Sequence, residues 1–177
     1  FDALETRSVD ARAAAQLEGL NAQLAKYGLD PLDDLLALTS LPVLRKSDLV
    51  ARQQASPPFG DIPVSNIGHV FQSPGPIYEP GGVSHDWWRM GAFLRASGVG
   101  EGDMVQNTFA YHFTPAGAMF ENAAISAGAQ VFAAGPGQSA DQARVAAHIG
   151  TTVYAGTPDF LAVILAKGKE LGLDLSR

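Results

Sequence analysis

Three aromatic rings and a histidine lie close together in the segment N-T-F-A-Y-H-F-T-P, residues 107–115. Aromatic walls supply a large apolar area and a few polar groups orient a ligand, so this composition suits an aryl or acyl pocket. His112 is a candidate binding residue because it follows a predicted strand, and the alternative is a histidine satisfied within the core. The segment predicts a small-molecule site around Tyr111 and His112.

A second candidate site is the glycine- and proline-rich segment 73–82, which follows a predicted strand and precedes a predicted helix. Backbone amides and the positive end of a helix favour an anion in such a loop. Pro74, Pro76 and Pro80 each lack an amide donor, and Glu79 adds a charge that repels phosphate. A phosphate cradle and a rigid structural loop both stay open, and neither the G-x-G-x-x-G nor the Walker pattern is present.

Other chemistries find little support in the residues. The chain has no cysteine, which excludes a thiolate metal site and a cysteine nucleophile. His69, His85 and His148 are scattered, without a carboxylate or histidine at ligand spacing, so no metal site is predicted. No G-x-S-x-G motif is present, which argues against a hydrolase triad.

The elements that position these loops alternate between strand and helix. Apolar runs predict strands at 69–72, 104–110, 130–134 and 152–155, and helical spacing predicts helices at 86–96, 114–127, 139–149 and 157–171. Ser139 and Gln142 have the spacing of a capping box. This order predicts an α/β fold, a three-layer arrangement with a mostly parallel sheet and flanking helices. Ligands bind at the carboxyl ends of such strands, where loops 73–82, 111–114, 135–138 and 156–158 are expected to meet.

An all-helical amino-terminal segment is predicted ahead of the sheet. Leucines at helical spacing indicate a helix over the first thirty residues that ends at Gly28, and further starts are predicted at Asp30-Pro31 and at Ser47-Asp48. Three prolines and two glycines between residues 56 and 68 indicate a connector. The predicted organisation is a helical segment at 1–55, a connector at 56–68 and a parallel α/β subdomain at 69–177.

Composition limits the classes of partner. The chain has 177 residues, 46% of them hydrophobic and 17% charged, and no long unbroken apolar run, so a membrane-spanning segment is not expected. A net charge of −6 without a basic patch argues against nucleic-acid binding. With no signal peptide evident at Phe1, a cytoplasmic location is expected.

Seven short motifs, taken in order, resemble the phenylacetate-CoA ligase family within the AMP-forming acyl-adenylate superfamily. They are F-D-A-L-E-T-R (1–7), L-P-V-L-R-K-S-D-L (41–49), P-P-F-G (57–60), the loop at Ser73, Y-H-F-T-P-A-G (111–117), G-Q-S-A-D-Q (137–142) and G-T-P-D-F-L (156–161). The resemblance implies a ligase that uses ATP with Mg to form an acyl-adenylate from a carboxylic acid, and it implies that this acid is aromatic. Coenzyme A would then displace AMP to give a thioester.

The resemblance also implies roles for individual residues. The acyl pocket would include Tyr111, His112, Phe113 and Thr114, joined by Gly135, Gly156 and Thr157 from neighbouring loops. The family's phosphate loop, S-S-G-T-T-G-K-P, aligns on Ser73 and Gly75 and places Glu79 where the family has lysine. That charge reversal favours an alternative, a nonadenylating relative that acts as a binding or interaction module.

Members of this family are roughly twice this length or more, so the chain resembles their amino-terminal part. The downstream Tyr-Gly-x-Thr-Glu-like motif, the ribose-binding aspartate and the domain with the catalytic lysine are not in the sequence, and the polypeptide alone is expected to be inactive. If the chain ends at Arg177, an uncovered apolar face would favour a homodimer. An unrelated dinucleotide-binding dehydrogenase would require a glycine fingerprint that the sequence lacks.

Overall fold

A computed structural model of the protein describes residues 6–176. The chain divides into two compact units, and the boundary lies between Val64 and Ser65. The helix predicted over the first thirty residues lies outside the described residues where it covers 1–5. No helix within the described part is both long and apolar enough to cross a bilayer.

The first unit contains α1 (Val9–Lys26), a short 3-10 helix (Leu36–Ser40) and α2 (Lys46–Ala55). The hydroxyl oxygen of Ser8 accepts a hydrogen bond from the amide of Ala11 at 3.3 Å, which caps the start of α1. Gly28, with φ of 66°, follows its end.

The predicted helix start at Asp30-Pro31 is wrong. The side chain of Asn21 donates to the carbonyl of Leu32 at 3.0 Å and accepts from its amide at 2.8 Å. Because both backbone groups of Leu32 are bonded to α1, they are not available for helical i→i+4 bonds. The turn forms later, where the Asp34 carboxylate accepts from the amide of Ala37 at 2.8 Å.

The second unit begins with an antiparallel hairpin, β1 (Ile67–Ser73) and β2 (Ile77–Gly82). The strand predicted at 69–72 is confirmed, but its predicted place in the parallel sheet is wrong. A parallel connection needs a crossover of a dozen or more residues, whereas Pro74, Gly75 and Pro76 reverse the chain at once.

A three-stranded parallel sheet follows, with the order β4-β3-β5. Its strands are β3 (Met104–Asn107), β4 (Gln130–Ala133) and β5 (Val153–Ala155), and the helices of this unit are α3 (Gly91–Ala96), α4 (Ala116–Ala127), α5 (Ser139–Ile149) and α6 (Pro158–Glu170). Three of the four predicted strands thus form the parallel sheet with flanking helices, and β3 is shorter than predicted.

The helix predicted at 86–96 starts late, at Gly91. The Asp86 carboxylate accepts from the amides of Met90 and Gly91 at 2.9 and 3.0 Å. Asp86 and Arg89 have positive φ angles of 50° and 57°, which helical residues do not adopt. Asp86 therefore begins a turn before α3, and its carboxylate bonds to the amides at the start of that helix.

The two faces of β3 have different surroundings. Val105, 2% exposed, belongs to an apolar cluster with Leu94 of α3 and with Ala123 and Ala124 of α4. Gln106, the next residue and only 1% exposed, is hydrogen-bonded to α5. The central strand is consequently buried on both faces.

Candidate functional site

The carboxyl end of β3 connects several of the candidate loops through Asn107, which is fully buried. Its side-chain amide donates to the Tyr111 hydroxyl oxygen at 2.8 Å and to the Gly117 carbonyl at 2.8 Å. Its backbone carbonyl accepts from the amides of Ala134 and Gly135, both at 3.0 Å. One asparagine therefore links loop 111–114 with the start of loop 135–138.

Thr108 joins the third loop to the same strand end. Its amide donates to the Ala155 carbonyl at 2.8 Å, and its hydroxyl lies 3.1 Å from the hydroxyl of Tyr154. The Tyr154 hydroxyl also donates to the carbonyl of Thr157 at 3.1 Å. Loops 111–114, 135–138 and 156–158 are thus fixed to β3, the geometry in which parallel sheets hold ligands.

The hairpin contacts this site through its backbone. The amide of Gln72 in β1 donates to the carbonyl of Phe113 at 2.7 Å. Ser73, the next residue, is half-buried and pairs with Ile77 across the turn. The structure thereby brings the start of the candidate phosphate loop next to the aromatic segment.

The placement predicted for the rest of that loop is wrong. Gly75 lies in the exposed turn between β1 and β2, and Glu79 lies inside β2, opposite Phe71. No helix follows directly, since α3 begins at Gly91. The prediction treated the segment as one loop because its prolines and glycines hid the strand character of Ile77 and Tyr78.

Tyr111 is positioned by hydrogen bonds at its hydroxyl. Burial raises the pKa of Tyr111 far above its ordinary value, and a hydrogen bond to Glu121 and the charge of that carboxylate raise it further. The bond from Asn107 acts in the opposite direction on this pKa. The neutral phenol thus donates to Glu121 and accepts from Asn107, so it can orient a neighbour but does not serve as a base near neutral pH.

Close backbone approach brings α4 against the same loop. A methyl group at Gly117 would lie 2.6 Å from the carbonyl oxygen of Ala110 and 2.9 Å from Cδ2 of Tyr111. The amide of Gly117 also donates to that carbonyl at 2.9 Å. A residue without a side chain is therefore required where α4 meets the aromatic segment.

The remaining residues of the aromatic segment face outward to different degrees. His112 is exposed, and Phe113 is 72% exposed with φ of 62°. Thr114 is half-buried, and its amide donates to the carbonyl of His112 at 2.9 Å. His112 and Phe113 are thus at the surface of this unit, beside Tyr111.

A cavity of about 590 Å³ extends along the face of the sheet that carries α3 and α4. It is lined by Phe109, Phe120 and Gly156 among others, and the rings of the two phenylalanines stack with centroids 4.6 Å apart. Gly156 was predicted as a site residue, whereas Phe109 and Phe120 were not. Phe109 lies in the aromatic segment, which the sequence does single out. Phe120 has no such local pattern around it, and its role follows only from its position on α4.

A second cavity, of about 330 Å³, lies on the opposite face of the sheet. Its lining includes Gln106, Thr151 and Ile164. Tyr111, His112 and Thr157 line neither of the two cavities. The predicted site residues therefore form a surface at the strand ends, with Gly156 as their link to the larger cavity.

The predicted capping box at Ser139 is wrong. Gln138, with φ of 52°, precedes α5 without a side-chain cap, and Ser139 is already helical. The Gln142 side chain instead donates to the carbonyls of Gly135 and Gly137, at 2.7 and 3.3 Å. A buried glutamine thus bonds to the loop that contains the predicted site residue Gly135.

Thr157 precedes α6 in an extended conformation. A hydrogen bond from the Thr157 side chain lowers the pKa of Asp159. The backbone amide of Asp159 lowers it further, burial opposes this, and the amide of Phe160 adds to the lowering. Among residues 6–176, no group of three or more histidine or acidic side chains is arranged to hold a metal ion.

Comparisons with known proteins were made by sequence and by structure. No protein-family model matches the chain, and no curated protein sequence matches it. Solved structures of 2-hydroxyisobutyryl-CoA ligase are similar to it. One, in the postadenylation state with R3-HIB-AMP, has a TM-score of 0.77 and 24% identity, covering 95% of this chain and 41% of that chain.

A second similar structure is an open conformation of the same ligase in complex with 2-HIB-AMP and CoA, with a TM-score of 0.72 and 25% identity. It covers 92% of this chain and 41% of that one. The chain therefore spans about two fifths of the length of these structures. The likeness shows that the chain has the fold of the corresponding part of an acyl-CoA ligase of the adenylate-forming superfamily.

Proposed function

We propose that this chain is the amino-terminal portion of an AMP-forming carboxylic acid–CoA ligase similar to phenylacetate-CoA ligase. The observation that carries the proposal is the attachment of three loops to the end of β3, in a fold similar to ligase structures that hold an acyl-adenylate. The finer features belong to the same proposal: a helical segment at 1–55, a connector at 56–68 and a three-layer subdomain at 69–177. Val105 packs against helices on one face of the sheet, and Gln106 is bonded to a helix on the other face, which supports a three-layer arrangement.

The proposed reaction has two steps. A carboxylate oxygen of the acid attacks the α-phosphorus of ATP bound with Mg, and pyrophosphate leaves. The thiol of coenzyme A then attacks the acyl carbon, and AMP leaves. Both steps depend mainly on alignment and on neutralising charge, so the part assigned to this chain is to bind and orient the acid.

The acid is proposed to be aromatic and to lie against Tyr111, His112, Phe113 and Thr114, with Gly135, Gly156 and Thr157 at the edges of the pocket. The fixed hydroxyl of Tyr111 and the backbone bonds of Asn107 support a rigid site at this position. The stacked rings of Phe109 and Phe120, in the cavity that Gly156 also lines, supply an apolar surface suited to an aryl group.

Ser73 and Gly75 are proposed to lie beside the phosphates of ATP. The bond from the Gln72 amide to the Phe113 carbonyl supports the proximity of Ser73 to the acid site. Glu79 favours a second candidate function, a relative without adenylation that binds a ligand or partner. A carboxylate beside a triphosphate is repulsive unless a cation lies between them.

The test is acid-dependent exchange of pyrophosphate into ATP by the full-length protein, with aromatic and aliphatic acids compared. We expect exchange with at least one aromatic acid. We also expect a calorimetric heat of binding, or protection of the protein against unfolding, when ATP with Mg is added. Failure of every acid, together with the absence of ATP binding, would overturn the ligase and favour the binding module.

Paired histidine variants locate the acid. His112→Asn is expected to raise the KM for the acid about tenfold, since one oriented polar contact contributes on the order of 1.4 kcal/mol. His148→Asn is the matched control, because His148 is also exposed but lies in the last turn of α5. Equal KM values for both variants would show that the acid binds away from the aromatic segment.

A further inference from the structure

Two buried glutamines form a polar connection inside the second unit. Gln106 of β3 is 1% exposed and Gln142 of α5 is 4% exposed. The Gln106 amide nitrogen donates to the side-chain oxygen of Gln142 and to its backbone carbonyl, the latter at 3.2 Å. The side-chain oxygen of Gln106 accepts from the Thr151 hydroxyl at 3.1 Å.

Gln142 extends this connection to loop 135–138. With its oxygen bonded to Gln106, its amide nitrogen donates to the carbonyls of Gly135 and Gly137. Unpartnered buried amides are costly, so these bonds specify one orientation of the Gln142 side chain. That orientation determines where the two loop carbonyls point.

The loop itself lacks regular structure that would hold it. Gly135, Gly137 and Gln138 have positive φ angles of 68°, 85° and 52°. A glutamine in the left-handed region is strained, and such a conformation persists when surrounding contacts enforce it. The bonds from the Gln142 side chain to the loop, together with those that the loop amides donate to the Asn107 carbonyl, are contacts of this kind.

We propose that Gln142, held by Gln106, is a positioning residue that keeps loop 135–138 in its ligand-binding conformation. The inference rests on the proposed function for the identity of the ligand. The position of the loop also has a readout that does not depend on catalysis. Gln142 acts through the Gly135 and Gly137 carbonyls and does not itself contact the acid.

The test uses Gln142→Glu and Gln142→Met in the full-length protein. Glutamate keeps an acceptor for Gln106 but loses the donor to the loop, whereas methionine keeps the volume without a buried charge. Ile164→Ala is the control, because Ile164 of α6 is 3% exposed and its truncation leaves a cavity in the core without removing a bond to the loop. Hydrogen exchange of the Ala134 and Gly135 amides, which donate to the Asn107 carbonyl where the loop begins, is measured for all variants, together with KM and kcat for the acid.

Both Gln142 variants are expected to accelerate exchange of the Ala134 and Gly135 amides about tenfold and to raise the KM for the acid more than they lower kcat, since at least one buried donor bond is lost. Ile164→Ala is expected to lower global stability without changing the KM. Unchanged exchange of the two amides in a folded Gln142 variant, or the same KM change in Ile164→Ala, would overturn the inference. If the wild-type protein forms no adenylate, the proposed function fails, and loop exchange alone decides the positioning role.

Discussion

The Tyr111 hydroxyl shows how one side chain can serve both folding and a site. It accepts from Asn107 and donates to Glu121, so the ring is fixed at the end of β3. The phenol beside the exposed His112 is thus oriented by bonds within the chain itself. Preorganisation of this kind reduces the entropy lost on binding.

The raised pKa of Tyr111 predicts a loss of stability in alkali. Its folded pKa lies above the ordinary value of about 10, so the folded state retains a proton that the unfolded chain releases. The contribution of the protonated Tyr111 to the free energy of unfolding is fully present below about pH 10 and decreases as the pH rises toward the folded pKa. We expect Tyr111→Phe to be less stable at neutral pH and to lose less stability in alkali than the wild type. Urea unfolding from about pH 8 to about pH 11 measures the difference, and parallel curves would contradict it.

Sequence reasoning located the aromatic segment but not the residues that hold it. Rings and a histidine after a predicted strand were visible as a local pattern. Asn107, Thr108 and Gln142 acquire their roles from partners that lie up to 47 positions away in the chain. A single asparagine or glutamine gives no local signal of such a partner, so these residues emerge from the tertiary structure.

At the start of α6, a threonine side chain is hydrogen-bonded to an acidic residue in the first turn. Pro158 lies in the first turn, where a missing amide costs no helical bond. Asp159 accepts hydrogen bonds near the positive end of the helix, which explains why its carboxylate is stabilised. This helix start follows loop 156–158, so the same contacts that begin α6 also fix the edge of the candidate site.

Acidification is expected to weaken this helix start. The pKa of Asp159 is lowered in the folded state. The ionised carboxylate therefore contributes to folding stability above the unfolded pKa of about 3.9, and this contribution is lost as the pH falls through the folded value. Asp159→Asn should therefore lose less stability than the wild type between about pH 6 and about pH 3. Thermal unfolding measures the change. Asp141→Asn, at the start of α5, is the matched control, and an identical acid response in both variants would contradict the prediction.

Strands and helices were predicted well where their period was clear and poorly where the backbone has unusual dihedrals. The apolar runs at β3, β4 and β5 are bounded by glycines and helices, so the alternation of strand and helix is evident in the sequence. The hairpin was missed because β2 contains Pro80, Gly81 and Gly82, residues that are rare inside strands. The late start of α3 depends on the positive φ of Asp86 and Arg89, which residue type did not indicate.

At the scale of the whole molecule, the site depends on topology more than on any motif. Loops that begin near residues 111, 135 and 156 meet because parallel strands end on the same edge of a sheet. The alternation of strand and helix predicted that meeting from the sequence. The cavity along Phe109 and Phe120 was not predictable, because its walls come from elements on either side of β3 in the sequence.

The sheet and the hairpin are expected to differ in local stability. β3 pairs with strands on both sides, and Val105 and Asn107 are 2% and 0% exposed. The hairpin has two strands, with Val70 53% exposed. Two-stranded sheets are marginal by themselves, so the hairpin should open without unfolding the parallel sheet.

Native-state hydrogen exchange tests this difference. Amides of β3 are expected to exchange most slowly and those of β1 and β2 faster. Val105→Ala should lower the free energy of global unfolding by about 2 kcal/mol, because it leaves a cavity in the core. It should then accelerate exchange in β3 while leaving the hairpin nearly unchanged, since the hairpin exchanges through its own opening. Equal acceleration in the hairpin would mean that β1 and β2 unfold together with the sheet, which would contradict their separate opening.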